Sequence, residues 1–360
     1  MPQKTRVRMI DIAREAGVSR VAVGAVLTGA GNGKIGISKE VADKIQEIAR
    51  KYHYYPNPVA RMLNGKSGKV IGVLMDSMVP AVSFRLLEGL EREAAKKGYT
   101  IQIAEAHNDS RRLYDSYRIM KLHCVDGVIC ISHHYSDEDF AETERFFSGV
   151  NDIVFVGGPV YAGHVHVSGD IEYGIRESAE LLVSHNRKKV ALLLHSLDCH
   201  SQIQRKNGFL SVFPDGGDRV FTLSEHELSE EEQAAAVKRF IKDVFIPGKF
   251  DGLLAVDDLT ALKAIAFLQA HGIRIPQDVE IIGSDNDKFS EWLSPSLSTL
   301  DHSIGEIAQK TMEVLLQKIR NPEKVPEGQI EIRPTLIQRE TTGRKMPKNT
   351  VESVNTKKGG

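Results

Sequence analysis

The sequence predicts a small all-α headpiece joined to a large α/β body of two lobes. Three observations carry this. Two short helical patterns meet at a glycine turn within residues 8–29. The charge reverses sign near residue 68. Beyond that point apolar strands alternate with amphipathic helices almost to the end. With 360 residues, 41% of them hydrophobic, the chain is long enough for one small and one large domain.

In the head, Met9, Ile12, Ala13 and Ala16 fall at helical spacing and form one inward stripe. Gly17 can take the left-handed conformation that ends such a helix. Ser19 then serves as N-cap of a second helix that buries Val23, Val26 and Leu27, leaving Arg20, Val21, Gly24 and Ala25 facing outward. Two short helices about a glycine-containing turn describe a helix-turn-helix, whose second helix enters a DNA major groove. The plain alternative is an ordinary helical hairpin in a core. Ser38 caps a third helix with Val41, Ile45, Ile48 and Ala49 on one face. Residues 1–68 hold twelve Lys/Arg against five Asp/Glu, a net of +7. The remainder carries −8, and the whole-chain value of −1 hides the asymmetry. A basic head on an acidic body is the footprint of a phosphate-binding domain attached to one that does not bind nucleic acid.

Strands are expected at 70–75, 100–104, 127–131, 153–157, 190–194, 220–223, 252–256 and 279–283. Helices are expected at 86–97, 112–122, 171–184, 202–212, 230–243, 259–271 and 304–319. This is a parallel-sheet pattern, with too many strands for one compact sheet, so two similar lobes with a cleft between them are expected. Ligands of open α/β sheets bind outside the carboxyl ends of the strands, and a two-lobed cleft sets two such edges face to face.

Several classes are excluded. No run of about eighteen apolar residues offers a membrane span, and the N-terminus MPQKTRVR has no signal-peptide core. The three cysteines, Cys124, Cys130 and Cys199, show no metal or redox spacing and read as buried thiols in a reducing cytoplasm. The histidines at 133/134, 164/166 and 195/200 come without a cysteine partner at ligand spacing, so no metal or other cofactor is expected. No G-x-S-x-G elbow, phosphate loop or G-x-G-x-x-G is present, which argues against an enzyme.

The runs IDIAREAGVS at 10–19, YYPNPVARML at 54–63 and VIGVLMD at 70–76 resemble the lactose/purine repressor (LacI/GalR) family of bacterial transcription regulators. The resemblance extends to about residue 340. It implies a helix-turn-helix headpiece over 1–53, a hinge over 54–67 and a periplasmic-binding-protein-like effector and dimerisation domain over 68–340. Within that body lobe 1 takes about 68–167 and 296–333, and lobe 2 about 168–295 and 334–340. The chain then crosses between lobes near Val167, Pro295 and Pro334, with helix 304–319 returning to lobe 1. The tail at 341–360, rich in Lys, Thr, Asn and Gly, reads as disordered.

On the DNA side, the resemblance makes Leu63 an apolar wedge in the minor groove, Ala60 its close neighbour, and Asn57 the cap of the hinge helix. The family's Thr, Ser and Arg are replaced by Ala22, Gly24 and Ala25, and its helix-1 Thr cap by Arg8. Arg20 is therefore expected to read a guanine, Val21 and Ala25 to touch a thymine methyl, Lys34 to meet a phosphate, and Ser19 and Gly24 to lie at the same surface.

On the effector side, it points to Asp76, Asp170, Arg205, Asp257 and Asp285, with Phe84 as the aromatic wall left by a degenerate segment. Trp292 can stack on a ring or pack between lobes. Asp258 is open between a helix N-cap and a ligand contact. Carboxylates and a guanidinium each pair neighbouring hydroxyls, which suits a sugar. The resemblance thus implies a dimeric repressor of a palindromic operator, switched by a small molecule. The rival reading is a cytoplasmic sugar-binding or sugar-processing protein with a helical appendage.

Overall fold

The computed structural model describes residues 7–28, 36–55, 67–75, 81–106, 109–131, 137–195, 199–223, 229–321, 325 and 327–343. Lys34, Asn57, Ala60, Leu63 and Asp76 lie outside these residues. The chain divides into two compact units, Met1–Gly68 and Lys69–Gly360.

In the first unit, α1 (Met9–Ala16), α2 (Arg20–Thr28) and α3 (Lys39–Lys51) close on Ile12, Val23 and Ile45, each fully buried. Gly17 sits at φ 75°, and the Val18 amide donates to the Ala13 carbonyl at 3.0 Å, so the helix ends where a Cβ would be strained. Ser19 Oγ accepts from the Ala22 amide at 3.1 Å, and Ser38 Oγ from that of Val41 at 3.4 Å. Lys51 of α3 pairs with Glu15 of α1 at 2.7 Å. One expectation is corrected here. Ala25 is buried, not outward, while Val26 and Leu27 are only half-buried. Helix α2 lies against both α1 and α3, so its covered arc is wider than a single stripe.

The second unit holds two six-stranded sheets. The first contains β1 (Val70–Met75), β2 (Thr100–Glu105), β3 (Gly127–Ile131), β4 (Ile153–Val156), β5 (Val165–Gly169) and β11 (Gly328–Ile332), in the order β11-β5-β4-β3-β1-β2, all parallel. The second contains β6 (Val190–Leu194), β7 (Val220–Thr222), β8 (Gly252–Ala255), β9 (Glu280–Ser284), β10 (Ser298–Asp301) and β12 (Thr335–Ile337), in the order β12-β10-β9-β8-β6-β7, with β12 alone antiparallel. Central strands such as β3, β6 and β9 are buried along their whole length. That is why they read as continuous apolar runs and not as alternations.

Helices α4 (Ala81–Lys96), α5 (Ser110–Leu122), α6 (Asp137–Phe147) and α11 (Ile304–Arg320) belong to the first lobe. Helices α7 (Ile171–Ser184), α8 (His200–Val212), α9 (Glu230–Phe240) and α10 (Asp258–Ala270) belong to the second. Among the described residues the chain changes lobe after Gly169, after Asp301 and between Ile332 and Thr335. The second of these lies beyond the expected Pro295, because 298–301 forms a strand of the second sheet between β9 and β12. Strands β10 to β12 are short, and the alternation alone did not reveal them.

Order also extends past the expected start of the tail at 341. Thr341 Oγ1 donates to the Ile281 carbonyl at 2.7 Å and accepts from the Ser298 amide at 2.8 Å, and Thr341 and Thr342 are both buried. Cys130 is buried as expected, whereas Cys124 and Cys199 are only half-buried.

Helix α11 is seated on lobe 1 by Gly89, where a Cβ would stand 2.8 Å from that of Ala308. Gly89→Val should force the two helices apart and cost about 1–3 kcal/mol, seen as a lower urea midpoint for the body. An unchanged midpoint would show that the helices can separate freely.

Candidate functional site

The carboxyl ends of both sheets open onto one cavity of about 640 Å³ between the lobes of the second unit. The two walls differ in chemistry. Lobe 1 offers Val82, Leu86, Ile131 and Val156, with Ser83 and Ser168 as its hydroxyls. Lobe 2 brings His195, Gln202, Arg205, Glu230, Gln233, Asp257 and Asp285, with Phe289 as the one phenyl ring of the lining among the described residues. His302, Ile304 and Ile307, from the second crossover and α11, close the base.

Each polar group is placed by the element it ends or begins. Arg205 and Gln202 lie one turn apart on α8 and are 7% and 8% exposed. Arg205 Nη1 donates to the Ser201 carbonyl at 3.2 Å, but Arg205 Nε and Gln202 Oε1 are buried without any hydrogen-bond partner. Among the described residues nothing pairs with either atom, and a buried donor or acceptor left unpaired costs free energy. Asp257 is the N-cap of α10. Its Oδ1 accepts from the Thr260 amide at 2.6 Å and its Oδ2 from His195 Nε2 at 2.8 Å. Burial pushes this carboxyl up, yet the bonds from His195 and Thr260 prevail and hold it below the usual range.

Asp285 follows β9 at φ 101° and is almost wholly enclosed. Burial raises its carboxyl to about 7 against the pull of Arg205, with Asp257 and Asp258 adding to the rise. His302 Nε2 lies 3.4 Å from Asp285 Oδ1 and 2.9 Å from Ser284 Oγ, and burial depresses its imidazole to about 3. The imidazole is therefore neutral near pH 7, and the contact is not an ion pair.

The turn that carries Asp285 also joins the lobes. Arg85 of α4 donates to the carbonyls of Asp285 and Asn286, the latter at 3.0 Å, and pairs with Asp287 at 3.5 Å. Beneath the turn, fully buried Asp258 accepts from the Asp287 amide at 2.7 Å, Ser290 Oγ at 2.7 Å and Thr299 Oγ1 at 2.6 Å. At the opposite rim the His200 ring of lobe 2 lies against Gly158 of lobe 1, where a Cβ would stand 2.2 Å from His200 Cδ2.

The cavity thus unites Arg205, Asp257 and Asp285 of the expected residues. Asp170 caps α7 through the Tyr173 amide at 3.0 Å and is not part of the lining. Phe84 is exposed: its neighbours Ser83 and Leu86 hold the inward face of α4. Trp292 is 84% exposed and outside the cavity, since the short helix at 288–291 turns Phe289 inward in its place. Asp258 is neither cap nor lining but the hub under the turn. His195, Gln202 and His302 were missed, although His195 directly follows the apolar run VALLL and so sits where the carboxyl-edge rule looks.

In the head, Arg20 and Val21 stand exposed at the start of α2. Ser19 Oγ is taken up as a cap. Gly24 is half-buried, with Met9 Sδ 3.6 Å from where its Cβ would be. Arg8 starts α1, its amide donating to Asp11 at 2.9 Å. His166 donates from Nδ1 to Gly157 and accepts the Tyr161 amide on Nε2, which makes it a neutral core residue and not a metal ligand. Among the described residues no group of three metal-ligating side chains converges, and no helix is long and apolar enough to cross a membrane.

Comparison with known proteins agrees with this architecture. Residues 179–342 match the periplasmic binding protein-like domain family. The sucrose operon repressor of Streptococcus mutans serotype c is 30% identical over 313 residues, covering 87% of this chain and 92% of that protein. The chain belongs to the LacI/GalR family of transcription regulators. The transcriptional repressor PurR of Mannheimia succiniciproducens is 24% identical over 92% of this chain and 97% of its own length. The fold is also that of the lac repressor dimer solved with operator and the anti-inducer ONPF (TM-score 0.77, 21% identity, 94% and 99% of the two chains). The regulator CelR in complex with cellobiose shares it at TM-score 0.63 and 19% identity, over 93% and 100% of the chains. Like its family, the chain is a DNA-binding regulator whose operator affinity is switched by a small molecule.

Two outcomes follow from the site. Asp285 binds its proton more tightly folded than unfolded, so its contribution to stability falls as pH rises from about 4 to about 7. Asp285→Asn should therefore gain on the wild type across that window, by roughly 2–4 kcal/mol in paired urea titrations; a constant difference would show an ordinary carboxyl. Gly158→Ala should lower the thermal midpoint by driving against His200. His200→Ala in the same chain should restore it, a non-additivity expected only of touching residues.

Proposed function

We propose that the chain is a dimeric, cytoplasmic transcriptional repressor of a palindromic operator, and that a neutral sugar of disaccharide size, bound between the lobes, alters its hold on DNA. The wall of lobe 2, which gathers Arg205 as donor, Gln202 as donor and acceptor, and the carboxyls of Asp257 and Asp285 around one cavity, carries this reading. Vicinal hydroxyls, each both donor and acceptor, satisfy such a mixed set; a purely accepting or purely donating group does not. The lining carboxyls Glu230, Asp257, Asp285 and Asp287 outnumber Arg205, while Arg85 is spent on the interlobe turn. That balance disfavours a phosphorylated sugar. Among the described residues Phe289 is the one phenyl ring of the lining, which leaves a purine without a second such ring to stack on. Two of the names point the same way, one a sucrose operon repressor and the other a cellobiose complex.

In this reading Arg205, Asp257 and Asp285 contact or position the sugar, with Asp76 adjoining them. Arg20 and Val21 meet base edges, Lys34 a phosphate, and Leu63, with Asn57 and Ala60, the minor groove. The sugar acts only through its different affinity for the DNA-competent and incompetent arrangements.

The test is calorimetric titration of the purified chain with sucrose, cellobiose, maltose, glucose 6-phosphate and a purine base, alongside selection of genomic fragments with and without each. A neutral sugar should bind and change recovery of one palindromic site. Binding of only the phosphate ester or the purine would overturn the assignment. Arg205→Leu should weaken the sugar about 10- to 100-fold, the loss of a charge-assisted bond in a buried site, and leave sugar-free operator binding intact. Leu63→Ala should do the reverse.

A further inference from the structure

We infer that His195, and not Asp257, is the side chain on this part of the wall that reads the effector, with Asp257 positioning it. This rests on the sugar reading of the cavity. Asp257 reaches the lining, but both of its oxygens are already engaged, Oδ1 by the Thr260 amide at 2.6 Å and Oδ2 by His195 Nε2 at 2.8 Å. His195, with a side chain 40% exposed, also lines the cavity, and among the described residues only Nε2 of its ring has a partner. In the neutral imidazole the proton therefore resides on Nε2, where a carboxylate accepts it. Nδ1 is left as a lone-pair acceptor for a ligand hydroxyl. A carboxylate that fixes the tautomer of a working imidazole is a recurrent device.

The tautomer gives the inference its test. In Asp257→Asn the amide has one oxygen, which the Thr260 amide requires as helix cap. The NH2 group then faces His195 Nε2, which must accept, so the ring proton moves to Nδ1. The cavity now meets a donor where it had an acceptor. In His195→Asn, the amide oxygen falls near the position of Nδ1 and supplies an acceptor that needs no help from Asp257.

The experiment has two arms, on the full-length chain at pH 8. Histidine-selective ¹⁵N NMR of the sugar-free protein should show His195 protonated at Nε2 in the wild type and at Nδ1 in Asp257→Asn. Sucrose, cellobiose and maltose are then titrated calorimetrically into each variant, with sugar-free operator binding confirming intact folding. For a sugar that binds the wild type, His195→Ala and Asp257→Asn should each weaken it about three- to tenfold, the loss of one neutral hydrogen bond. The double variant should be no weaker than either. His195→Asn should lie closer to wild type than His195→Ala, with or without Asp257→Asn. Undiminished binding by His195→Ala, additive losses, or Nδ1 protonation in the wild type overturns the assignment alone. Failure of all three sugars to bind, with the tautomer as stated, overturns the sugar reading and this assignment with it.

Discussion

The two lobes depend on the three-residue turn Asp285–Asn286–Asp287. Its side chains and its backbone serve opposite ends. Asp285 presents a carboxyl to the cavity, while the carbonyls of Asp285 and Asn286 hold Arg85 of the other lobe. The turn can do both because Asp285 and Asn286 sit at φ 101° and 51°, a conformation that points successive carbonyls away from the strand they follow. Asp258, Thr299 and Arg339 fix it from below: Arg339 Nη2 donates to Asn286 Oδ1 at 2.8 Å and the Asn286 amide to Thr299 Oγ1 at 3.1 Å. A group bound on Asp285 is therefore one residue away from the bond that ties lobe 2 to α4. Strain of this kind persists only where its surroundings over-determine it.

Much of this was legible in the sequence, for a physical reason. Parallel strands buried on both faces write themselves as apolar runs, so eight of the strands could be placed, and the residues after them marked where a ligand would sit. Arg205, Asp257 and Asp285 were found that way. What the sequence concealed were features set by tertiary partners. The strand at 298–301 is rich in hydroxyls, because Ser298 and Thr299 bond to Thr341, Thr342 and Asp258. No hydrophobic pattern reports that. For the same reason Thr341 and Thr342 resemble a loose tail by composition and are in fact core. Asp170, Phe84 and Trp292 had the right chemistry one or more residues from the right direction, and helix phase decided against them. Asp257 and Asp258 could not be told apart until the cap and the hub had been assigned.

The division of labour between the walls has a thermal consequence. Among the described residues nearly every hydrogen-bonding side chain of the cavity comes from lobe 2, while lobe 1 presents chiefly Val82, Leu86, Ile131 and Val156. What these side chains of lobe 1 add on contact with a guest is the removal of aliphatic surface from water. That contribution carries a negative heat-capacity change and weakens as temperature falls. The polar and apolar faces of the cavity accordingly respond differently to cold: in a chilled cell the hydrogen-bonding wall keeps its hold on a guest while the aliphatic wall loses part of its own.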